Sequence, residues 1–344
     1  MTELEEVTGI GSATAKKLQK SFITTAELLA VQNPLELSSK TGIGEGIAHN
    51  IVSNARGLVG GYDFISGLEF EEQMKKAHRL RTGLPELDKL LRGGLIESSI
   101  VEIFGPARGG KTQWCGHLAT RVQLPFEKGG LEGGVLWLDT ESSFNPAVIR
   151  ANASRWGLDP EMALGNIRRA EVVVTGQIES LFETIPKLCA EQNNKLVVVD
   201  SLSGLYRVEF SGISTLAVRQ AKLNKLLNKM RRAGKATKTI FLYTNQATTA
   251  MLPGGGGYTK AVGGHILAHG SDYRFNATAK SDDTRHLKLK DNASVPEFKV
   301  ALKLGWGGFY SDASAKGDTE PEVLDYMEKA GLNTDIDASG DGEE

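Results

Sequence analysis

The residues best suited to chemistry lie in the segment GPARGGKT, from Gly105 to Thr112. Glycines at this spacing let backbone N–H groups turn towards a phosphate, while Lys111 adds a positive charge and Thr112 a hydroxyl ligand for Mg²⁺. The apolar run IVEIF precedes the segment, and QWCGHLATRVQL, which has a helical pattern, follows it. A strand, a glycine-rich loop and a helix in this order predict a phosphate loop that binds ATP and Mg²⁺. The predicted contact residues are Gly105, Pro106, Ala107, Arg108, Gly109, Gly110, Lys111, Thr112 and Gln113.

Carboxylates follow two further apolar runs. Asp200 ends LVVVD, where a carboxylate can reach the metal ion directly or through water, and Asp139 and Glu141 follow VLWL. Glu141 lies just past its strand, where a carboxylate can orient and deprotonate a water that attacks the γ-phosphate. Asp and Glu at strand ends are also common as turn residues and helix caps. Beside a phosphate loop we predict ATP hydrolysis, with Asp200 on the metal side and Glu141 as the catalytic carboxylate.

The elements that must position these residues are short apolar runs, which alternate with helical stretches from Thr82 onwards. The runs are IVEIFG (100–105), VLWLDT (135–140), KLVVVDS (195–201) and TIFLYTN (239–245). Runs of this kind are typical of parallel strands buried on both faces. HLKLK (286–290) and FKVALKL (298–304) alternate instead, which predicts half-exposed strands at a sheet edge. The fold class of this part is therefore predicted to be α/β with a mostly parallel sheet.

Composition places the chain among ordinary globular proteins, since 40% of its 344 residues are hydrophobic and 24% are charged. The apolar runs are too short to span a bilayer, and the N-terminus lacks the order of a signal peptide. The two cysteines, Cys115 and Cys189, show no metal-type spacing. We therefore expect a cytoplasmic protein without a membrane partner.

The net charge is unevenly distributed along the chain. Residues 312–344 contain eleven acidic residues against two lysines, whereas residues 1–311 contain 38 Lys and Arg against 31 Asp and Glu, a net charge of +7. The acidic tail is predicted to be disordered and solvated. The alternative is a tail that competes with a polyanion for a basic surface.

An internal repeat occupies the N-terminal part, because TGIGSATAKKL (8–18) and TGIGEGIAHNI (41–51) share the same spacing. Each copy predicts two short helices joined by a glycine hairpin, whose free backbone N–H groups suit a phosphate. The residues expected to pack inward are Ala15, Leu18, Ala48 and Ile51. The pair resembles helix-hairpin-helix modules, which bind the nucleic-acid backbone. A small helical domain that docks on protein is the alternative.

Several motifs occur together in one order, and they resemble the RecA-family strand-exchange ATPases, in particular the archaeal RadA recombinases. The motifs are the paired Gly-Ile-Gly repeats, TGLPELDKLLRGGL, GPARGGKTQ, LWLDTESSFNP, VVVDSL, YTNQ and GGHILAH. The resemblance extends to about residue 305. It implies a RecA-type P-loop ATPase core with a mostly parallel sheet, a small all-α helix-hairpin-helix domain, and ATP bound between protomers of a helical filament or ring. It also implies a nucleoid-associated protein.

The resemblance also implies roles for single residues. Asn245 and Gln246 would couple the γ-phosphate to the DNA loops, with Gln246 among the catalytic residues. His269 matches a histidine near the γ-phosphate between subunits, and Asp291 and Pro296 match the segment that caps ATP on the adjacent subunit. Phe64 matches the phenylalanine through which one linker docks on the next protomer, although an ordinary linker-to-core contact is the alternative.

The predicted regions follow from this comparison. Residues 1–58 form the helix-hairpin-helix domain, 59–81 the linker with the oligomerisation segment, 82–311 the ATPase core, and 312–344 the acidic tail.

Departures from the family pattern cluster where single- and double-stranded DNA would bind. In the first DNA loop Arg207 and Arg219 fit the pattern, but Ile213 stands where an arginine is expected. Asn145 and, in the second loop, Ala250 replace further arginines, and Gly67 replaces an alanine after Phe64. Fewer cations lower the electrostatic affinity for DNA.

A second glycine-rich loop, between Gln246 and the GGHILAH block, is predicted to face DNA rather than phosphate. Its backbone N–H groups and Lys260 would hold the DNA, unless the loop is an inert surface loop. The predicted contacts are Gly254, Gly255, Gly256, Gly257 and Lys260.

Two functions remain open at this point. The first is an ATP-dependent recombinase that forms filaments on single-stranded DNA and promotes strand exchange in DNA repair. The second is a paralogue that binds ATP and a partner recombinase as an assembly factor, with little strand exchange of its own.

Overall fold

The computed structural model describes residues 1–251, 257–262, 264–281 and 283–311. Within them the helices are α1 (Ser12–Lys20), α2 (Ala26–Ala30), α3 (Pro34–Thr41), α4 (Glu45–Val59), α5 (Gly67–Lys76), α6 (Pro85–Leu90), α7 (Lys111–Arg121), α8 (Pro146–Arg155), α9 (Pro160–Gly165), α10 (Thr175–Glu191), α11 (Ser203–Glu209), α12 (Leu216–Thr237) and α13 (Gly264–Gly270). The strands are β1 (Arg79–Leu80), β2 (Leu95–Ile96), β3 (Ile100–Gly105), β4 (Gly134–Asp139), β5 (Ile167–Glu171), β6 (Asn194–Asp200), β7 (Ile240–Met251), β8 (Gly257–Ala261), β9 (Tyr273–Ala279), β10 (Thr284–Asp291), β11 (Phe298–Gly305) and β12 (Gly308–Tyr310). Gly254, Gly255, Gly256 and the predicted tail at 312–344 lie outside the described residues.

The N-terminal helices form a small domain with its own apolar core. Helices α1 and α4 begin directly after Gly11 and Gly44, the second glycines of the two Gly-Ile-Gly repeats. The predicted inward-facing residues are buried, as the spacing required: Ala15, Leu18, Ala48 and Ile51. The ion pairs Lys40–Glu183 and Glu36–Arg232, the second at 3.0 Å, join this domain to α10 and α12.

The segment after α4 contains a helix that the sequence interpretation missed. Helix α5 begins after Ser66, whose side chain accepts a hydrogen bond from the Glu69 N–H while the Glu69 carboxylate accepts one from the Ser66 N–H. This reciprocal capping box was readable from the S-x-x-E spacing. None of the residues of α5 is buried, and Phe64 just before it is fully exposed.

The central sheet has the order β12-β11-β10-β9-β3-β7-β6-β4-β5, with β8 paired to β7. Strands β9, β3, β7, β6, β4 and β5 are parallel to one another, whereas β10, β11 and β12 extend the sheet in antiparallel pairs. Both the parallel interior and the alternating strands towards the edge are confirmed. One apolar cluster covers the face under α7, and a second covers the face under α10 and α12. The α/β prediction with a helical N-terminal domain is therefore correct.

His117 joins α7 to the edge of the sheet. Its Nε2 donates a hydrogen bond to the Thr82 carbonyl at 2.7 Å, and its Nδ1 accepts one from the Phe309 N–H at 3.2 Å. Complete burial lowers the pKa of His117 to about 3, and the Arg155 guanidinium acts in the same direction. The imidazole is therefore neutral in the folded protein, with one tautomer fixed by its two partners.

The low pKa of His117 makes the fold sensitive to acid. Below the unfolded-state pKa of about 6.5 the unfolded chain binds a proton that the folded chain does not, so stability falls as pH falls. We expect the free energy of unfolding to decrease by up to ~1.4 kcal/mol per pH unit in that range from this residue. Urea unfolding of wild type and His117→Gln at pH 7.5, 6.5 and 5.5 measures this pH dependence of the free energy of unfolding. In His117→Gln the free energy of unfolding should depend less steeply on pH. The control His49→Gln, on the exposed face of α4, should keep the wild-type slope. Equal slopes for wild type and His117→Gln would contradict the role given to His117.

Candidate nucleotide-binding site

The phosphate loop connects the end of β3 at Gly105 to the start of α7 at Lys111. It packs against β9, where a Cβ atom on Gly105 or Gly109 would lie 2.0 or 2.5 Å from the Ala277 carbonyl oxygen. Gly110 has a φ of +87°, a conformation that side chains disfavour. Close backbone approach and this left-handed turn require glycine at these positions, and they explain the pattern predicted from the sequence.

Lys111 lies over this loop. Its Nζ donates hydrogen bonds to the carbonyl oxygens of Gly105 at 3.1 Å and Pro106 at 2.8 Å. Partial burial lowers the pKa of Lys111, while the carboxylates of Glu141 and Asp200 act in the opposite direction. An ammonium held by two neutral carbonyl groups can exchange them for phosphate oxygens, so Lys111 fits the phosphate role.

Asp200 accepts hydrogen bonds from three hydroxyl groups, on α7, on β7 and in the loop after β4. Thr112 Oγ1 on α7 donates to Oδ2 at 2.7 Å, Ser143 Oγ donates to the same oxygen at 3.1 Å, and Thr244 on β7 donates to Oδ1. Burial raises the pKa of Asp200, against the hydrogen bonds from Thr244 and Thr112 that lower it. A carboxylate and a threonine hydroxyl in contact at the end of the phosphate loop are oxygen donors of the kind Mg²⁺ prefers. The donor set therefore fits a magnesium ion.

Glu141 lies at the same edge of the sheet and is exposed to solvent. Its Oε1 accepts hydrogen bonds from Ser201 Oγ at 2.5 Å and from Gln246 Nε2 at 3.4 Å. Gln246 in turn accepts one at its Oε1 from Arg207 Nη1 at 2.8 Å. A continuous chain of side chains thus runs from Glu141 beside the phosphate loop, through Gln246 on β7, to Arg207 on α11.

Two family models and a curated relative match this chain. The family model described as Rad51 matches residues 73–312. The chain belongs to the Rad51 family. A second model, described as a SAM-like helix-hairpin-helix tandem, matches residues 1–56. The chain is also similar to the DNA repair and recombination protein RadA of Metallosphaera sedula, with 35% identity over 302 residues that cover 88% of this chain and 93% of the relative.

Asp139 at the end of β4 and Asn145 just before α8 both have structural contacts. Asp139 is buried, forms an ion pair with Arg169 at 2.8 Å and accepts hydrogen bonds from the N–H groups of Ser143 and Phe144. It therefore shapes the turn that carries Glu141. Asn145 caps α8, since its Oδ1 accepts the Ala147 N–H at 2.9 Å. This gives a local reason for asparagine where an arginine was expected.

Other residues predicted from the family pattern lie away from the phosphate loop. His269 is exposed on α13, where its ring stacks on His265 at 5.9 Å, and Asp291 and Pro296 are exposed at and after the end of β10. Among the described residues, no hydrogen bond or ion pair joins these three to Lys111, Thr112 or Glu141. Their predicted roles require a second copy of the chain.

The predicted DNA contacts within the described residues lie in two regions, one on helices α11 and α12 and the other on strand β8. Arg207 is on α11, and Arg219 near the start of α12 donates a hydrogen bond from Nη1 to the Phe210 carbonyl at 3.2 Å. Gly257 and Lys260 are in β8, which pairs with the extended end of β7.

In the part of the chain described here, no helix is both long and apolar enough to cross a bilayer.

The sequence interpretation missed three hydroxyl groups of the site, those of Ser143, Ser201 and Thr244. One signal was available. Thr244 precedes Asn245 in an extended run, so their side chains must point to opposite faces of the sheet, and Thr244 shares the face of Asp200. The hydroxyls of Ser143 and Ser201 depend on how the strand-end loops turn, which the sequence pattern did not show.

Proposed function

We propose that this chain is an ATP-dependent DNA recombinase, which binds single-stranded DNA as a filament and promotes pairing and strand exchange with double-stranded DNA in DNA repair. The observation that carries the proposal is the chain of hydrogen bonds from Glu141 through Gln246 to Arg207. It supports a direct link between the catalytic carboxylate and a cation of the predicted first DNA loop. The name of the Metallosphaera sedula relative supports the same function.

In this proposal the phosphate loop, Thr112 and Asp200 hold the nucleotide and its metal ion. The loop from Gly105 to Gln113 would surround the phosphates, with Lys111 moving from the carbonyl groups of Gly105 and Pro106 to phosphate oxygens. Thr112 and Asp200 would hold Mg²⁺, which when bound offsets phosphate charge. Hydrogen bonds from the hydroxyl groups of Ser143 and Thr244 hold the Asp200 carboxylate in its orientation.

Glu141 would act as the general base for the attacking water. Ser201 Oγ fixes one carboxylate oxygen of Glu141, while the other remains available to accept a proton. A DNA phosphate that binds Arg207 would compete with Gln246 for the guanidinium. Gln246 would then be free to reorient against Glu141, so that DNA binding and ATP turnover become coupled.

Self-assembly would complete the site. His269, Asp291 and Pro296 lie away from the phosphate loop, and a second copy is needed to bring them to bound ATP. Phe64, fully exposed before α5, has the chemistry of an anchor for such a copy. Assembly through this linker would therefore add catalytic contacts to a site that one chain leaves incomplete.

Electron microscopy of the purified protein with ATP, Mg²⁺ and single-stranded DNA, followed by a strand-exchange assay, tests the proposal. Regular filaments with exchanged product are expected. Phe64→Ala should remove the filaments, because the most exposed large apolar side chain of the described residues is lost, while Met162→Ala, an exposed apolar residue on α9, should retain them. Filaments that persist in Phe64→Ala would place the self-contact elsewhere.

The alternative is a recombinase paralogue that acts as an ATP-binding assembly factor for a partner recombinase. It is favoured by Asn145, which caps a helix where the family pattern has a cation, together with Ile213, Ala250 and Gly67. ATP turnover with no exchanged product, combined with stimulation of a partner recombinase, would support this alternative over the first function.

A further inference from the structure

A buried polar cluster lies where β7 leaves the main sheet to pair with β8, on the sheet face opposite to Asp200. Its centre is Glu102, a fully buried carboxylate in β3. In the sheet register Glu102 lies opposite Arg274 on β9, whose Nε donates a hydrogen bond to Oε2 at 2.6 Å. Oε1 accepts a second one from Asn245 Nδ2 on β7 at 2.7 Å. A buried carboxylate is stable only with partners of this kind, so Glu102, Arg274 and Asn245 form one unit.

Asn245 connects this unit to the base of the loop. Its Nδ2 also donates to the carbonyl oxygen of Val262 at 2.6 Å, and the Val262 N–H donates to the Gln246 carbonyl at 3.0 Å. Val262 is the first residue after β8, so these contacts close the hairpin of β7 and β8 where it leaves the sheet. We call Asn245, Gln246 and Val262 the loop neck.

The orientation of the Asn245 amide is fixed by its neighbours. Glu102 Oε1 and the Val262 carbonyl are both acceptors, so the atom between them must be Nδ2, which uses its two protons on these two contacts. The Asn245 Oδ1 is buried and has no hydrogen-bond partner among the described residues. The Asn245 amide therefore donates its hydrogen bond to the Val262 carbonyl only while Glu102 holds the amide in this orientation.

We propose that Glu102 is a positioning residue, which acts through Asn245 to hold the loop neck against the strand that carries the phosphate loop. Glu102 lies on β3, three residues before Gly105, and the neck includes Gln246, which contacts Glu141 and Arg207. A shift of the neck therefore moves Gln246 relative to Glu141. The consequence for DNA-coupled ATP turnover rests on the function proposed above, whereas the anchoring of the neck does not.

Glu102→Gln separates the two contacts of the carboxylate. Glutamine has one oxygen, and the charged Arg274 competes for it more strongly than the neutral Asn245 does. The glutamine NH₂ then faces the Asn245 amide, which must rotate to present Oδ1. That rotation places Oδ1 against the Val262 carbonyl oxygen, and the contact that closes the neck is lost.

The rate of backbone hydrogen exchange measures how firmly the loop neck is held, and it needs no ligand. In Glu102→Gln we expect peptides spanning 257–262 to exchange about ten-fold faster than in wild type, the effect of losing a buried hydrogen bond. The stimulation of ATPase by single-stranded DNA should fall at least about five-fold. ATPase without DNA should stay within about two-fold, since among the described residues no hydrogen bond or ion pair joins the Glu102 carboxylate to the phosphate loop.

A second variant keeps the test independent of overall stability. Adding Asn245→Asp to Glu102→Gln supplies an acceptor for the glutamine NH₂ and returns a negative charge near Arg274, so the unfolding temperature should recover. The introduced carboxylate still faces the Val262 carbonyl, so fast exchange and weak DNA stimulation should persist. Tyr243→Phe, which removes a buried hydroxyl from the same row of the sheet, is the matched control and should keep a closed neck.

The inference is overturned if exchange at 257–262 in Glu102→Gln equals that of Tyr243→Phe, or if the double variant restores slow exchange together with stability. A wild-type ATPase that does not respond to DNA contradicts the proposed function instead. In that case the exchange comparison alone decides whether Glu102 positions the neck.

Discussion

Glu141→Gln is expected to retain ATP binding and to lower ATP turnover by about 100-fold or more, the usual contribution of a general base. Glutamine has the size of glutamate and can still accept the hydrogen bonds from Ser201 and Gln246, but its amide cannot take a proton from water. The geometry of the site should therefore persist while the chemical step is slowed. Single-turnover hydrolysis with excess enzyme, beside equilibrium binding of ATP, separates the two effects.

Glu171→Gln is the matched control for this prediction. Glu171 ends β5 at the same edge of the sheet and accepts a hydrogen bond from Ser142 Oγ at 3.2 Å. The same change of charge at this position should alter turnover by no more than about two-fold, as is usual for surface substitutions. Equal turnover in Glu141→Gln and wild type would remove Glu141 from the catalytic role, and equal losses in both variants would indicate a general charge effect.

The phosphate loop was predictable from sequence because its chemistry and its geometry are both local. The glycines, Lys111 and Thr112 lie within eight consecutive residues between a strand and a helix, so the spacing alone defined the site. The partner carboxylate was less local, since Thr112 and Asp200 are 88 residues apart. It could still be predicted because the carboxyl ends of parallel strands meet at one edge of the sheet.

The Glu102 cluster could not be predicted in this way. It depends on the register of three strands, which places Glu102 opposite Arg274 and Tyr243, with Asn245 two residues further on the same face. Sequence patterns indicate which residues are strands, but they do not give neighbours across a sheet. A glutamate inside the apolar run IVEIFG was nevertheless a signal, because a charge in a buried strand requires a partner.

Lys111→Ala is expected to abolish ATP turnover and ATP binding while leaving the nucleotide-free protein folded. The ammonium donates hydrogen bonds to two carbonyl groups of the loop, a position from which it can move to phosphate oxygens. Its lowered pKa, caused first by burial, means that folding disfavours the charged form. Removing that charge removes a desolvation cost, but it also removes the hydrogen bonds to the Gly105 and Pro106 carbonyl groups, so thermal unfolding without nucleotide is the control for folding.

Thermal unfolding with and without ATP and Mg²⁺ gives the decisive measurement for Lys111→Ala. A ligand present at 100 times its Kd stabilises a folded protein by about 2.7 kcal/mol, so wild type should unfold at a higher temperature with nucleotide. Lys111→Ala should show no such increase, while Lys89→Ala on the exposed side of α6 should behave as wild type. An increase in Lys111→Ala equal to that of wild type would mean that the backbone of the loop binds the phosphates without this lysine. The lysine would then act only on the chemical step, and its loss should resemble that of Glu141→Gln.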